Sequence, residues 1–483
     1  MPHVTEPLLC RNIRAPRSQL AKRATALCVA AALAATSSAP SSAQPPSGRG
    51  LPIIRDAEIE QLLRDYMAPI LKTAGLAQQN IQIVIIQNRA FNAFVMDGRR
   101  IFINVGALLD AKTPNEVIGV LAHETGHLSG GHLAKLRREL ANAQTALVIG
   151  MLLGLGAAVA GATTGAGRGG GLSQAGVATL SASPGLVQRT LLGYVRSQEE
   201  IADRSAVRFL TAIQQSPKGM HDTFQRFAQQ TLFISQGADP YLMSHPMPRE
   251  RVEALTQLAK ASPYWDTKDP PELQERHDLM RAKLSGFLDK PDAVARRYPL
   301  SDTSLAARYA RAISAYRFSE IRGALAQIDS LIQTRPNDPY FHELRGQALL
   351  ENGRPLEAIA SLRKAASLAP NAILIRIMLG QALVAANDPK LGDEAVKILR
   401  AAVAREPEAA DGYRQLAMVY GRKGDYAQAD LASAQAAFAA GEIKTARELA
   451  GRARNRFPTG SPGWVKSDDI YSYKPPAGTI GAN

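Results

Sequence analysis

Cysteine is nearly missing from this chain. Its 483 residues include two, Cys10 and Cys28, and both lie within the first 43 positions. Residues 1–43 read as a secretory signal peptide: Arg11, Arg14, Arg17, Lys22 and Arg23 precede the apolar run Ala24–Ala35, and Ser41-Ser42-Ala43 offers small residues before a cut. A chain cut after Ala43 has no thiol. That excludes disulfides, a thiol nucleophile and a thiolate metal site, so any metal must be held by His and carboxylate. Long apolar runs are also missing. Ala24–Ala35 is too short to span a bilayer comfortably, and Thr25-Ala26-Leu27-Cys28 does not look like a lipoprotein cleavage box. Thr145–Ala162 is apolar, but its Gly and Ala content lowers its hydrophobicity and no second clear span follows, so a soluble mature chain is expected. A nucleic-acid motif is lacking as well. The cut removes five Lys/Arg and one Asp/Glu and lowers the net charge from +14 to +10, an excess best read as a solvated basic surface. Aromatics make up only 6%, while Ala and Gly are plentiful, which favours close-packed helices.

What is present is ordinary in bulk and specific in detail. Apolar content of 46% over 483 residues allows large cores and two or three domains. Helical spacing runs through Ile59, Leu62, Leu63, Tyr66 and Ile70 in Asp56–Ala74. Short strands are expected at Ile81–Ile86, Asn92–Val95 and Ile101–Val105, with a turn at Asp97-Gly98. Ile101–Val105 is the candidate edge strand for an extended peptide held by backbone hydrogen bonds.

The chemistry centres on His123-Glu124-Thr125-Gly126-His127. On a helix, His123 and His127 share one face, so two imidazoles can bind one Zn²⁺ while Glu124 reaches a water on it. Thr113-Pro114-Asn115-Glu116 predicts the helix start as a capping box with Pro at the first position. A catalytic zinc takes three protein ligands. His132 is five residues past His127, one short of the spacing that returns a third His to the metal, and reads as a helix-surface residue or one that supports a ligand. Glu199 is the better candidate. Glu199, Asp203, Ala206 and Leu210 form a stripe that turns apolar and should face inward, whereas Glu200, Arg204 and Arg208 form a charged outer stripe. Inward carboxylates need a partner. Glu199 becomes the third ligand, and Asp203 the acceptor that orients a ligand histidine. Thr145–Tyr194 reads as helices and loop beside the site, either a lid or a plug touching the membrane, with plain packing as the alternative.

The C-terminal half repeats. Pro336 and Pro370 are 34 residues apart, as are Gly346 and Gly380, and 34 is the tetratricopeptide period. Gly346 precedes Ala358 by twelve residues, Gly380 precedes Ala395 by fifteen because Asn387–Gly392 carries an insertion, and Ala417–Ala429 restores twelve. Ala306–Pro336 is a degenerate first unit and Phe438–Phe457 a final pair. Such repeats stack into a solenoid with a concave binding face.

His-Glu-Thr-Gly-His followed by Glu199-Glu200-Ile201-Ala202-Asp203, with His245-Pro246-Met247-Pro248-Arg249-Glu250-Arg251 later, resembles the M48 family of zinc metallopeptidases. The order of signal peptide, peptidase domain and repeats is similar to its periplasmic BepA-like members. The resemblance implies an α+β zincin-like peptidase domain, mostly helical with a small sheet, followed by an all-α tetratricopeptide solenoid. Expected boundaries are a signal peptide over 1–43, the peptidase domain over 51–262, a linker over 263–300, the repeats over 301–460 and a tail over 461–483. The resemblance further implies one Zn²⁺ per chain on His123, His127 and Glu199, with Glu124 as general base, in a Gram-negative periplasm. It points to quality control of outer-membrane β-barrel proteins, with unfolded or misassembled clients and with the barrel assembly machinery docked through the repeats. The alternative is a chaperone or assembly factor whose proteolysis is secondary. His245, with Arg251, is placed near the active site. Two roles are open to it: a fourth zinc ligand that keeps the enzyme latched, or a hydrogen-bond donor to the developing oxyanion.

Overall fold

The computed structural model describes residues 52–136, 138, 184–231 and 245–475. The expected signal peptide over 1–43, the stretch 145–183 and the last eight residues lie outside them. Helix α1 (Ala57–Thr73) starts where Asp56 accepts the N–H of Ile59 at 2.9 Å. Its inward stripe is the one expected: Ile59, Leu62, Leu63, Tyr66 and Ile70 are all buried. Four strands follow the order β1-β2-β4-β3, with β1 Ile53–Ile54, β2 Gln82–Ile86, β3 Ala93–Val95 and β4 Arg100–Asn104. Asp97 makes the β3–β4 turn by accepting the N–H groups of Arg99 and Arg100 at 2.9 Å.

The edge-strand expectation for Ile101–Val105 fails. β4 pairs with β2 in parallel (Ile83 opposite Ile101) and with β3 antiparallel (Phe94 opposite Phe102), so it is internal, and among the described strands β1 and β3 form the edges. A run of apolar residues without alternation marks a strand covered on both faces. Val105 does not extend it but opens α2 (Val105–Asp110).

Helix α3 (Pro114–Gly130) carries the His-Glu-Thr-Gly-His stretch through the core, with Val117, Ile118, Val120 and Leu121 buried. Pro114 stands at its start as expected, but the capping box does not form. The Thr113 side chain makes no cap bond, and Glu116 Oε1 accepts the N–H of Lys112 instead. Asp269 Oδ2, from far along the chain, accepts the Asn115 N–H at 2.9 Å, so a tertiary contact replaces the local one. Two glycines set the spacing around α3. A Cβ at Gly119 would come within 2.6 Å of Met220 in α5 (Lys218–Thr231), and one at Gly126 within 2.8 Å of the Ala202 carbonyl in α4 (Pro184–Ala212). Only glycine allows both neighbours this close.

After α6 (Arg249–Lys260), the expected linker over 263–300 is helical: α7 (Pro271–Leu288) and α8 (Pro291–Arg297) occupy it. Pro271 and Pro291 are first-turn residues, which preset helical φ where no N–H partner exists, rather than breaks. Met280 and Leu284 of α7 join the core around α1 and α3, while Leu279 and Ala282 join the core of the repeats. Lys283 Nζ lies 2.8 Å from Asp56, 3.2 Å from Glu58 and 3.5 Å from Glu343, binding both regions at one buried point.

The repeats are antiparallel helix pairs: α9 (Leu305–Phe318) with α10 (Ile321–Thr334), α11 (Pro339–Glu351) with α12 (Pro355–Leu368), α13 (Ile373–Ala385) with α14 (Gly392–Arg405), and α15 (Ala410–Arg422) with α16 (Tyr426–Ala439). The insertion is a 3₁₀ turn over Pro389–Leu391. Ala358 and Ala395 are buried as expected, but it is Leu362 and Leu399 that fill the space a Cβ would need at Gly346 and Gly380. The last pair is α17 (Ile443–Arg456) with α18 (Pro462–Ser472), so Phe438 ends the preceding pair. The expected tail over 461–483 therefore begins as a packed helix, with Ser461 accepting the N–H of Trp464 and Pro462 in the first turn. Among the described residues, no helix is long and apolar enough to cross a membrane.

Candidate metal centre

Helix α3 places His123 and His127 one turn apart, with Nε2 atoms 3.1 Å from each other. Helix α4 crosses it at the Gly126–Ala202 contact and delivers Glu199. Its Oε2 lies 3.4 Å from His123 Nε2 and its Oε1 3.4 Å from His127 Nε2. The face assignment from spacing is the observed one: Glu199 and Asp203 are buried with Ala206 and Leu210, while Glu200, Arg204 and Arg208 are exposed. The loop before α6 adds His245, whose Nδ1 is 3.1 Å from Glu199 Oε2 and 3.4 Å from His123 Nε2. Donor atoms of His123, His127, Glu199 and His245 thus converge within 4.8 Å, a cluster able to hold a metal ion. Tetrahedral zinc with bonds of roughly 2.0–2.1 Å separates its donors by about 3.3 Å. The cluster fits that spacing, and its N and O donors match a sequence without cysteine after Cys28.

Each partner has its own support. His123 Nδ1 lies 2.9 Å from Asp203 Oδ1, which keeps the proton on Nδ1 and turns Nε2 inward. Arg251 donates Nε and Nη2 to the two Asp203 oxygens at 2.7 and 2.9 Å, and Nη1 to the Pro246 carbonyl at 2.8 Å. The same Nη1 is 2.8 Å from Glu199 Oε2. One guanidinium therefore ties together the carboxylate cluster and the His245 loop. Phe224 of α5 closes the back, edge-on to His123 at 5.2 Å and under Arg251 at 5.5 Å.

Burial acts differently on each group. It would raise the Glu199 carboxyl, but the three surrounding histidines outweigh it and hold this group well below the usual carboxylate range. Burial likewise opposes ionisation of Asp203, and Arg251 outweighs it. At Glu124 burial wins: it pushes the carboxyl up, and nearby His245 and His123 offset it only in part. Neither Glu124 oxygen has a hydrogen-bond partner among the described residues, and Oε1 lies 3.4 Å from His245 Nε2. A buried carboxyl beside a cluster of metal-donor atoms can accept and return a proton.

All the expected site residues, His123, Glu124, His127, Glu199, Asp203 and His245, are brought together. His132 is not on the surface: it is buried, with Nδ1 3.0 Å from His127 Nδ1. Phe224 had no sequence signal, since an apolar residue on a helix looks like any core residue. Arg251 was reachable only through the His-Pro segment that precedes it.

Residues 54–259 match the model of peptidase family M48, and residues 309–373 match a tetratricopeptide repeat model. Among curated relatives, the "Beta-barrel assembly-enhancing protease" of Yersinia pestis is 22% identical over 418 residues, covering 85% of this chain and 82% of the relative. The protein of the same name from Escherichia coli (strain K12) is 22% identical over 423 residues, with the same coverage of 85% and 82%. A "Putative beta-barrel assembly-enhancing protease" of Vibrio cholerae is 24% identical over 298 residues, covering 60% of this chain and 58% of the relative. The chain carries an M48 metallopeptidase domain followed by tetratricopeptide repeats.

Proposed function

We propose that this protein is a zinc-dependent endopeptidase of the Gram-negative periplasm that acts in the assembly and quality control of outer-membrane β-barrel proteins. The observation that carries the catalytic part is the convergence of His123, His127 and Glu199 at metal-donor spacing beside Glu124, whose oxygens have no hydrogen-bond partner among the described residues. Zinc on His123, His127 and Glu199 would supply Lewis-acid polarisation of a peptide carbonyl and activation of water. Glu124 accepts the proton of the attacking water and returns it to the leaving amine, a task suited to a carboxyl raised by burial. Asp203 and Arg251 hold His123 and Glu199 in place. β3, an edge strand among the described residues, offers backbone groups to an extended substrate.

His245 acts as a latch in this reading. Its Nδ1 stands among the donor atoms, where it would compete with substrate for a bound metal, and Arg251 donates to the Pro246 carbonyl of the same loop. The names of the relatives support clients among outer-membrane β-barrel proteins, with the repeats docking the assembly machinery.

A second reading, an assembly factor with proteolysis secondary, has one observation in its favour. A cavity of about 1140 Å³ lies between β1, the start of α1, α7 and the repeat helices α9, α11, α13 and α15, above the roughly 300–1,000 Å³ of small-ligand pockets and suited to polypeptide. Zinc content and casein cleavage by the mature chain, compared with Glu124→Gln, test the first reading. Glu124→Gln should keep stoichiometric zinc and lose cleavage, and turnover within a few-fold of wild type refutes the role of Glu124. Barrel assembly supported equally by Glu124→Gln would favour the second reading.

A further inference from the structure

The structure holds a histidine that the proposed mechanism leaves unused. Helix α3 ends at Gly130, and Gly131 takes the left-handed conformation (φ 62°), its N–H capping the carbonyls of His127 and Leu128. The chain then turns so that the His132 ring lies back over Gly130. A Cβ at position 130 would sit 2.2 Å from His132 Nε2, so the ring occupies space only glycine leaves open. His132 is buried and meets His127 edge-on, with ring centroids 5.0 Å apart at 86° and the two Nδ1 atoms 3.0 Å apart.

At that separation one Nδ1 carries a proton and the other accepts it. His127 Nε2 points into the donor cluster, 3.1 Å from His123 Nε2 and 3.4 Å from Glu199 Oε1, so its lone pair belongs to the metal. The proton of a neutral His127 must then be on Nδ1, and His132 Nδ1 is the acceptor. We infer that His132 is a positioning residue: it accepts the Nδ1–H of His127 and holds that ring in the tautomer and orientation that present Nε2 to the metal. The inference rests on His127 being a ligand, as proposed above. It makes the two ligand histidines parallel, each with its own acceptor: Asp203 for His123 and the neutral imidazole of His132 for His127. It also accounts for the five-residue spacing from His127, which brings His132 to the outer nitrogen of that ring rather than to the metal. His132 Nε2 has no hydrogen-bond partner among the described residues, so the contact with His127 is the polar contact that fixes the ring.

The test uses the full-length chain as wild type, His132→Leu, His132→Asn and Gly130→Ala. Zinc affinity is measured by competition with a chromophoric chelator, and the visible spectrum is recorded with cobalt(II) in place of zinc. Asn places Oδ1 where His132 has Nδ1 and can accept the same proton, whereas Leu cannot. His132→Leu should lose zinc affinity roughly 10–100-fold and shift the cobalt bands, as lost support of a ligand typically does. His132→Asn should return to within a few-fold of wild type. Gly130→Ala, which displaces the ring without removing it, should follow His132→Leu. Equal affinities across the series, or Asn no better than Leu at the same melting temperature, overturn the role of His132. A wild-type chain that binds no zinc overturns the proposed metal centre and this inference with it.

Discussion

Gly126→Ala tests how the site is assembled, because it alters neither a ligand nor the base. The added methyl would stand 2.8 Å from the Ala202 carbonyl oxygen and 2.9 Å from its Cα, where ordinary contact begins at 3.4 Å. Both neighbours are helix backbone, so no side chain can rotate away. Relief needs α4 to move off α3 by about 0.6 Å, and overpacking of this kind costs about 1–3 kcal/mol. The displacement carries Glu199 and Asp203 away from His123 together. Metal sites tolerate roughly ±0.2 Å in donor distance, so zinc affinity should fall by at least about tenfold. Misplacement near 1 Å costs on the order of 10²-fold in rate, and kcat/KM should fall by about 10–100-fold. Thermal melting, chelator competition and casein cleavage read the three effects. Gly323→Ala is the control: it lies within α10, and its Cβ would meet nothing within 4 Å. That change should stabilise the helix by roughly 0.5–1 kcal/mol and leave zinc binding alone. Wild-type zinc affinity and turnover within twofold in Gly126→Ala would show that the α3–α4 approach does not position the ligands.

Four further outcomes follow from the same geometry. Glu199→Gln should release zinc and Glu200→Gln should be neutral, with Asp203→Asn roughly 10–100-fold weaker in zinc affinity; the reverse order of the two glutamates, read by chelator competition, refutes the ligand assignment. His245→Ala should raise basal casein cleavage and self-cleavage if His245 is a latch, whereas a fall of about 10²–10³-fold identifies an oxyanion donor instead. Deleting Ser301–Asn483 strips Glu343 and Tyr309 from the buried Lys283–Glu58 group and bares Leu279 and Ala282 of α7. The truncated chain should melt well below the full-length protein or precipitate, and an unchanged melting temperature would falsify the shared core. His277 is fully buried between Tyr66 and the Ala111 carbonyl, and burial pulls its imidazole down to about 4. The unfolded chain therefore binds a proton that the folded one does not. Stability is fully present above about 6.5 and declines as pH falls from there towards 4, by up to on the order of 3 kcal/mol. The stability difference between wild type and His277→Gln should shrink over that window, and a flat difference refutes it.

The amino-acid sequence alone determined the parts governed by local geometry. Residues one turn apart on a helix must share a face, so His123 with His127, and Glu199 with Asp203 but not Glu200, could be assigned before any packing was known. The 34-residue period likewise specified helical repeats, because each unit packs on its neighbour in the same way. Tertiary structure decided everything that depends on which distant segments meet. Pairing with β2 on one side and β3 on the other put β4 inside the sheet, since strand partners are chosen by burial and not by the strand's own residues. Asp269 displaced Thr113 as the partner of the helix start for the same reason. The prolines at 270, 271 and 291 gave the signature of a linker, yet a first-turn proline and a breaking proline look identical until the following helix has a surface to bury. His132 shows the limit most sharply. Its spacing excluded it from the metal, but only the glycine turn at 130–131 and the folded-back ring place it against His127.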